Sequence, residues 1–119
     1  PMLKIDSAYQ YFHICRKNVE IYSWMGSVAT ARPHTHARFS AVLHIDGSAR
    51  LQTVTKNQQY LWDFLTACEA RDMPMLVNTS FNIAGDPIVF DYIDCFVNMH
   101  RMGIKWLLTN SGLYECLNV

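Results

Sequence analysis

The sequence carries no excess of charge of either sign, with Lys+Arg and Asp+Glu at 10 each in 119 residues. No basic field exists to hold nucleic acid by its phosphates, and no basic face draws the chain to an anionic membrane. Long hydrophobic runs are missing too. The longest are far too short to span a bilayer, and no signal-peptide pattern opens the chain, so a cytoplasmic protein is expected. Cys15, Cys68, Cys95 and Cys116 stand singly, without a Cys-x-x-Cys pair. That spacing argues for reduced thiols over a disulfide framework or a zinc site. Pro33-His-Thr-His36 brings two imidazoles together, but no third ligand completes the pattern, and no metal is expected. Internal repeats, low-complexity stretches and long linkers are absent. What is present is 50% hydrophobic and 13% aromatic residues, the composition of a packed interior. The length suits one domain, residues 1–119.

The first third of the chain has weak patterns. Ala8–Cys15 has strand-like composition with helix as the alternative, Asn18–Trp24 is a weak strand candidate, and Gly26–Phe39 reads as a loop. From residue 41 the signals sharpen. Strands are expected at Ala41–Ile45 and Arg50–Val54, flanking Asp46-Gly47, a dipeptide that favours a type I′ hairpin. Thr55 and Gln58 offer a capping box. Behind it Tyr60, Leu61, Phe64, Leu65 and Cys68 form an apolar stripe on a helix that Pro74 should end. Short strands follow at Met75–Val77 and Pro87–Phe90. A second helix carries Ile93, Phe96, Val97 and His100 and closes near Gly103, before terminal strands at Ile104–Leu108 and Leu113–Leu117. Strands alternating with helices predict an α/β fold, a mixed sheet with helices packed on it.

Two polar segments at strand ends stand out: His44-Ile-Asp-Gly-Ser-Ala-Arg-Leu-Gln-Thr53 and Asn78-Thr-Ser-Phe-Asn-Ile-Ala-Gly-Asp-Pro87. A lone Asp-Gly is ordinarily only a turn, and one arginine at a strand start ordinarily reaches solvent. Together the segments offer more. Arg50 can clamp a phosphate or carboxylate. Ser48, Thr79 and Ser80 supply hydroxyls, Asn78 and Asn82 amides, and Gly47 and Gly85 let backbone N–H groups approach a ligand. Such a set suits an oxyanion and a small planar amide-like group, held where α/β folds bind ligands, beyond the carboxyl ends of strands. It includes no nucleophile activated by a base. The chemistry it supports is positioning and charge stabilisation at phosphorus or an acyl carbon.

With these residues the chain resembles the C-terminal domain of carbamoyltransferases of the nodulation, tobramycin and cephamycin type. The family pattern His-x-Asp-Gly-(Ser/Thr)-Ala-Arg-x-Gln-Thr-Val stands complete at residues 44–54, and Asn-Thr-Ser-Phe-Asn with Gly-(Glu/Asp)-Pro-Ile-Val stands at 78–82 and 85–89. The resemblance covers residues 38–117 well and the first third poorly. It implies a YrdC-like twisted mixed sheet that binds ATP with magnesium and carbamoyl phosphate, forming carbamoyl-adenylate. A Kae1-like transferase domain or subunit then passes the carbamoyl group to a hydroxyl acceptor. Carried over by position, Arg50 would hold the carbamoyl phosphate or adenylate phosphate, and Ser80 with Asn78 and Asn82 the carbamoyl and phosphoryl groups. His44 and Ser48 would line the pocket, with Asp46, Gly47, Gln52, Thr79 and Gly85 completing the binding set and Arg50 and Ser80 as its catalytic pair. Two departures stand beside the resemblance. The family's upstream basic residues find only Lys4, Arg16, Lys17, Arg32 and Arg38 as candidates, and Asp91-Tyr-Ile-Asp94 replaces a proline before the second helix. With no companion domain in this sequence, a non-catalytic nucleotide-binding, regulatory or structural module docking on an ATPase-like partner is the alternative reading.

Overall fold

A computed structural model describes residues 1–117. The chain is α/β and divides into two compact units, Pro1–Asn78 and Thr79–Val119. Among the described residues, no helix is long and apolar enough to cross a membrane.

The first unit begins with strand β1 (Met2–Lys4) and helix α1 (Ile5–Tyr11), then β2 (Phe12–His13) and a 3-10 segment at Arg16–Trp24. Strand β3 (Val28–Ala31) and helix α2 (Pro33–Phe39) follow, then a 3-10 turn at Ser40–Val42. Strands β4 (Ser48–Arg50) and β5 (Gln52–Val54), helix α3 (Gln59–Glu69) and strand β6 (Met75–Leu76) complete it. β1 is central in a mixed sheet, parallel to β5 and antiparallel to β6. β3 is central in an antiparallel sheet between β2 and β4. Leu51, fully buried, links β4 of one sheet to β5 of the other. It packs in one core with Leu3, Ala8, Tyr11, Phe12, Ala29, Ala31, Ala49 and Met75.

Several sequence expectations are corrected here. Ala8–Tyr11 is helical, because α1 buries Ala8 and Tyr11 on one side. Residues 18–24 form 3-10 turns rather than a strand. The expected loop at 26–39 holds β3 and α2, the latter started by Pro33 at its first helical position. Residues 41–45 are not a buried strand: Ser40–Val42 is a 3-10 turn and Ile45 is fully exposed. The type I′ hairpin is accordingly absent. Gly47 N–H bonds His44 O at 2.9 Å, and within the turn only Gly47 (φ 77°) has positive φ. The result is a type I turn followed by a left-handed glycine, which returns the chain so that His44 N–H reaches Ser48 O at 2.7 Å.

Downstream, half of the expected capping box forms, with Gln58 Oε1 accepting from Thr55 N–H at 3.2 Å, and α3 starts at Gln59. α3 ends at Glu69, five residues before Pro74. Asp72 turns left-handed (φ 64°), and Met73 N–H bonds Cys68 O at 3.0 Å. Lys4 pairs with Glu69 and Ser7 bonds the same carboxylate, tying α3 to the start of the chain.

The second unit contains helix α4 (Tyr92–Arg101) and a hairpin of β7 (Trp106–Thr109) and β8 (Gly112–Glu115). Residues 87–90 are not a strand, although Val89 N–H bonds Phe81 O at 3.1 Å. Asp91 caps α4 by accepting from Asp94 N–H at 2.9 Å. Gly103 (φ 67°) closes the helix in a Schellman motif, with Ile104 N–H on Met99 O at 2.8 Å. The stripe Ile93, Phe96 and Val97 is largely exposed, while Asn98 and Met99 on the adjoining face are buried. Phe96 meets Tyr114 of β8 edge-on at 5.1 Å.

Phe12 is a large, fully buried side chain of the first unit. Phe12→Ala should cost about 3–5 kcal/mol of stability through lost burial and the cavity it leaves. Denaturant unfolding measures this; a loss of only about 0.5 kcal/mol, the scale of surface substitutions, would contradict the core assignment.

Candidate functional site

The residues of the first motif are set by strand alternation. From Ala49 to Thr53 every second side chain, Ala49, Leu51 and Thr53, is fully buried, so Ser48, Arg50 and Gln52 face the other way. A cavity of about 360 Å³ lies on that outward side, lined by Pro1, Met25, Val42, His44, Arg50 and Asn78. Two of the outward residues have partners. His44 Nδ1 lies 3.1 Å from Ser48 Oγ, and Asn78 donates to Gln52 Oε1 at 2.6 Å. Arg50, between them, has no hydrogen-bond or ion-pair partner among the described residues. The other arginines are engaged: Arg16 stacks on Tyr9, Arg32 bonds Tyr9 O, Arg38 pairs with Asp72, Arg71 bonds Ala67 O, and Arg101 pairs with Asp86. Four of the five upstream basic candidates, Lys4, Arg16, Arg32 and Arg38, are therefore committed elsewhere.

The turn that carries His44 is held by its own polar groups. Asp46 Oδ1 accepts from Ser48 N–H at 2.9 Å. Hydrogen bonding from Ser48, side chain first and backbone second, keeps the Asp46 carboxyl below its usual range, and the nearby His44 adds to this. The Ser48 hydroxyl and His44 Nδ1 also share a hydrogen bond, which orients the imidazole beside the cavity.

The second motif divides between the units after Asn78. Thr79 and Ser80 are exposed and line a shallow apolar depression of about 260 Å³ with Phe81, Met102, Ile104, Trp106, Leu107 and Leu108. Asn82 donates to Ile83 O at 3.1 Å and to Asp86 O at 2.8 Å, which ties the loop through Gly85. Its Oδ1 is buried without a partner. Gly85 takes φ 92° with open space where a Cβ would stand. The structure thus gathers His44, Arg50 and Asn78 at one cavity, with Ser48 and Gln52 bonded to its walls, and places Thr79, Ser80, Asn82 and Gly85 in the second unit. Pro1, Met25 and Val42 join the cavity from segments whose sequence gave no sign of it.

The family model for the carbamoyltransferase C-terminus matches residues 1–115 of this chain. The chain belongs to that family. It is 32% identical over 117 residues to nodulation protein NolNO of Sinorhizobium fredii, a match covering 97% of this chain and 17% of that protein. Nodulation protein NolO of Bradyrhizobium diazoefficiens is 41% identical over 92 residues, 76% of this chain and 17% of its own length. Nodulation protein U of Rhizobium tropici is 39% identical over 56 residues, 45% of this chain and 10% of that protein. The chain therefore spans under a fifth of the length of these relatives. The family match extends over the first third, where the motif resemblance was poor.

The bonds from Ser48 imply that the Asp46 carboxyl titrates below its ordinary value of 3.8. Because the folded value is depressed, the turn's share of stability is complete above 3.8 and is lost as pH falls through the lowered value. Carbon-13 titration of the carboxyl should find that lowered midpoint, and Asp46→Asn should remove the acid-side loosening of the Ser48 amide. A midpoint at or above 3.8 would refute the bond.

Proposed function

We propose that this chain is the carbamoyl phosphate- and ATP-binding part of a carbamoyltransferase, forming carbamoyl-adenylate for transfer to a hydroxyl acceptor. The observation that carries the proposal is Arg50, an arginine at a cavity wall whose side chain has no partner among the described residues while the other arginines have one. A free guanidinium fork beside an oriented imidazole and a tethered amide matches a tetrahedral oxyanion. In this reading Arg50 takes the phosphate of carbamoyl phosphate or of the adenylate, and His44 and Asn78 flank it. Ser80, exposed in the second unit, is the hydroxyl assigned to ligand binding there. Magnesium enters with ATP, as substrate. Water cleaves carbamoyl phosphate to carbamate and inorganic phosphate, and a carbamate oxygen then attacks the α-phosphorus of ATP, so that pyrophosphate leaves as carbamoyl-adenylate forms.

The much greater length of the relatives supports a Kae1-like companion domain or subunit as acceptor site. The commitment of Lys4, Arg16, Arg32 and Arg38 to other partners supports a second reading, a module that binds nucleotide without turnover. Pyrophosphate release from ATP in the presence of carbamoyl phosphate separates the two.

Arg50→Ala should weaken carbamoyl phosphate binding by about 1.5–3 kcal/mol, the scale of a charge-assisted hydrogen bond. Arg50→Lys, which keeps the charge and loses the fork, should fall between. Ser80→Ala should lower affinity less than Arg50→Ala. Isothermal titration measures all three, with circular dichroism confirming the fold. Unchanged affinity in folded Arg50→Ala would remove the assigned role.

A further inference from the structure

We infer that His36 is a positioning residue for the cavity, acting through Gly47; the ligand part of this inference rests on the proposed function. The sequence offers His36 only as half of a two-imidazole pair. In the fold it lies on α2, and α2 is anchored at its first turn. Thr35, fully buried, donates its hydroxyl to Tyr11 O at 2.6 Å, and Arg32 N–H bonds the same carbonyl at 2.9 Å. The Tyr11 ring meets Phe39 edge-on at 5.4 Å and His34 at 5.6 Å, which fixes the rotation of the helix.

From that helix the His36 imidazole lies against Gly47. A Cβ on Gly47 would stand 2.6 Å from His36 Nε2 and closer still to Cε1. The exposed His36 ring thus occupies the space that a side chain at position 47 would need, and the φ of 77° itself favours glycine there. On its other side Gly47 O accepts from Ala31 N–H of β3 at 3.0 Å. The turn is thus held between a strand and an imidazole. The His36 imidazole has no hydrogen-bond or ion-pair partner among the described residues, so its contribution here is packing. Held in this way, the turn fixes where His44 meets Ser48 and how the chain enters β4 at Arg50.

The test combines two readouts on the intact chain. Amide hydrogen exchange reports the turn at Gly47 and His44, whose N–H groups bond His44 O and Ser48 O, and titration with carbamoyl phosphate reports the cavity. His36→Ala should speed exchange at both amides and weaken binding by about tenfold, with the thermal midpoint nearly unchanged. His36→Gln, which reaches the same spot with a planar amide, should restore most of both. Unchanged exchange in His36→Ala overturns the inference. Weaker binding with unchanged exchange also overturns it, because His36 would then touch the ligand directly. Faster exchange in a chain whose wild type binds no carbamoyl phosphate supports the role of His36 in the turn and overturns the proposed function instead. If His36→Ala unfolds, Gln alone decides: native exchange and native affinity support packing, and loss of either refutes it.

Discussion

The candidate site depends on one packing constraint, the burial of Ala49, Leu51 and Thr53 on the inner side of the segment that joins the two sheets of the first unit. A strand has a period of two, so burying those three directs Ser48, Arg50 and Gln52 outward together. Leu51 sits where hydrogen bonding passes from β3 to β1, since β4 pairs with β3 and β5 with β1. A one-residue slip there would send the arginine into the core, where an unpaired charge is not tolerated. Burial on one side of the segment thus decides which side chains face the cavity.

The outward residues divide the work among themselves. Ser48 bonds the imidazole of His44, Gln52 bonds the amide of Asn78, and Arg50 between them is left without an internal partner. The two flanking bonds hold polar groups that would otherwise rotate, while the arginine keeps its donors free for an incoming anion. Of the upstream cations, Lys4 and Arg38 are in ion pairs and Arg32 is on a backbone carbonyl. Balanced overall charge and a single uncommitted guanidinium at a cavity suit recognition of one small anion better than attraction of a polyanion.

Much of this was legible in the residues. The two polar motifs, the α3 and α4 helices, the closing of α4 near Gly103 and the β7–β8 pair follow from periodicity and turn chemistry. The first third was not. β1 is only three residues long, and its pairing with β5 and β6 depends on partners about 50 and 73 positions away, which no local pattern announces. α2 begins at Pro33 with no side-chain cap, and what holds it is the Thr35 hydroxyl on Tyr11, a contact made only in the folded chain. Residues 41–45 failed in the opposite sense. Their aliphatic run reads as a strand, yet Ser40–Val42 winds into a 3-10 turn, His44 to Gly47 turn tightly, and Ile45 faces solvent.

By itself the sequence determined the chemistry: which donors exist, their order along the chain, the α/β class and the family to which they belong. These follow from side-chain identity and short-range spacing, which survive without a fold. Tertiary structure alone decided the rest. It left Arg50 without a partner, joined Gln52 to Asn78 across 26 residues, set His36 against Gly47, and divided the second motif after Asn78. Each of these outcomes depends on which distant groups compete for a given donor or space, and that competition exists only once the core has closed.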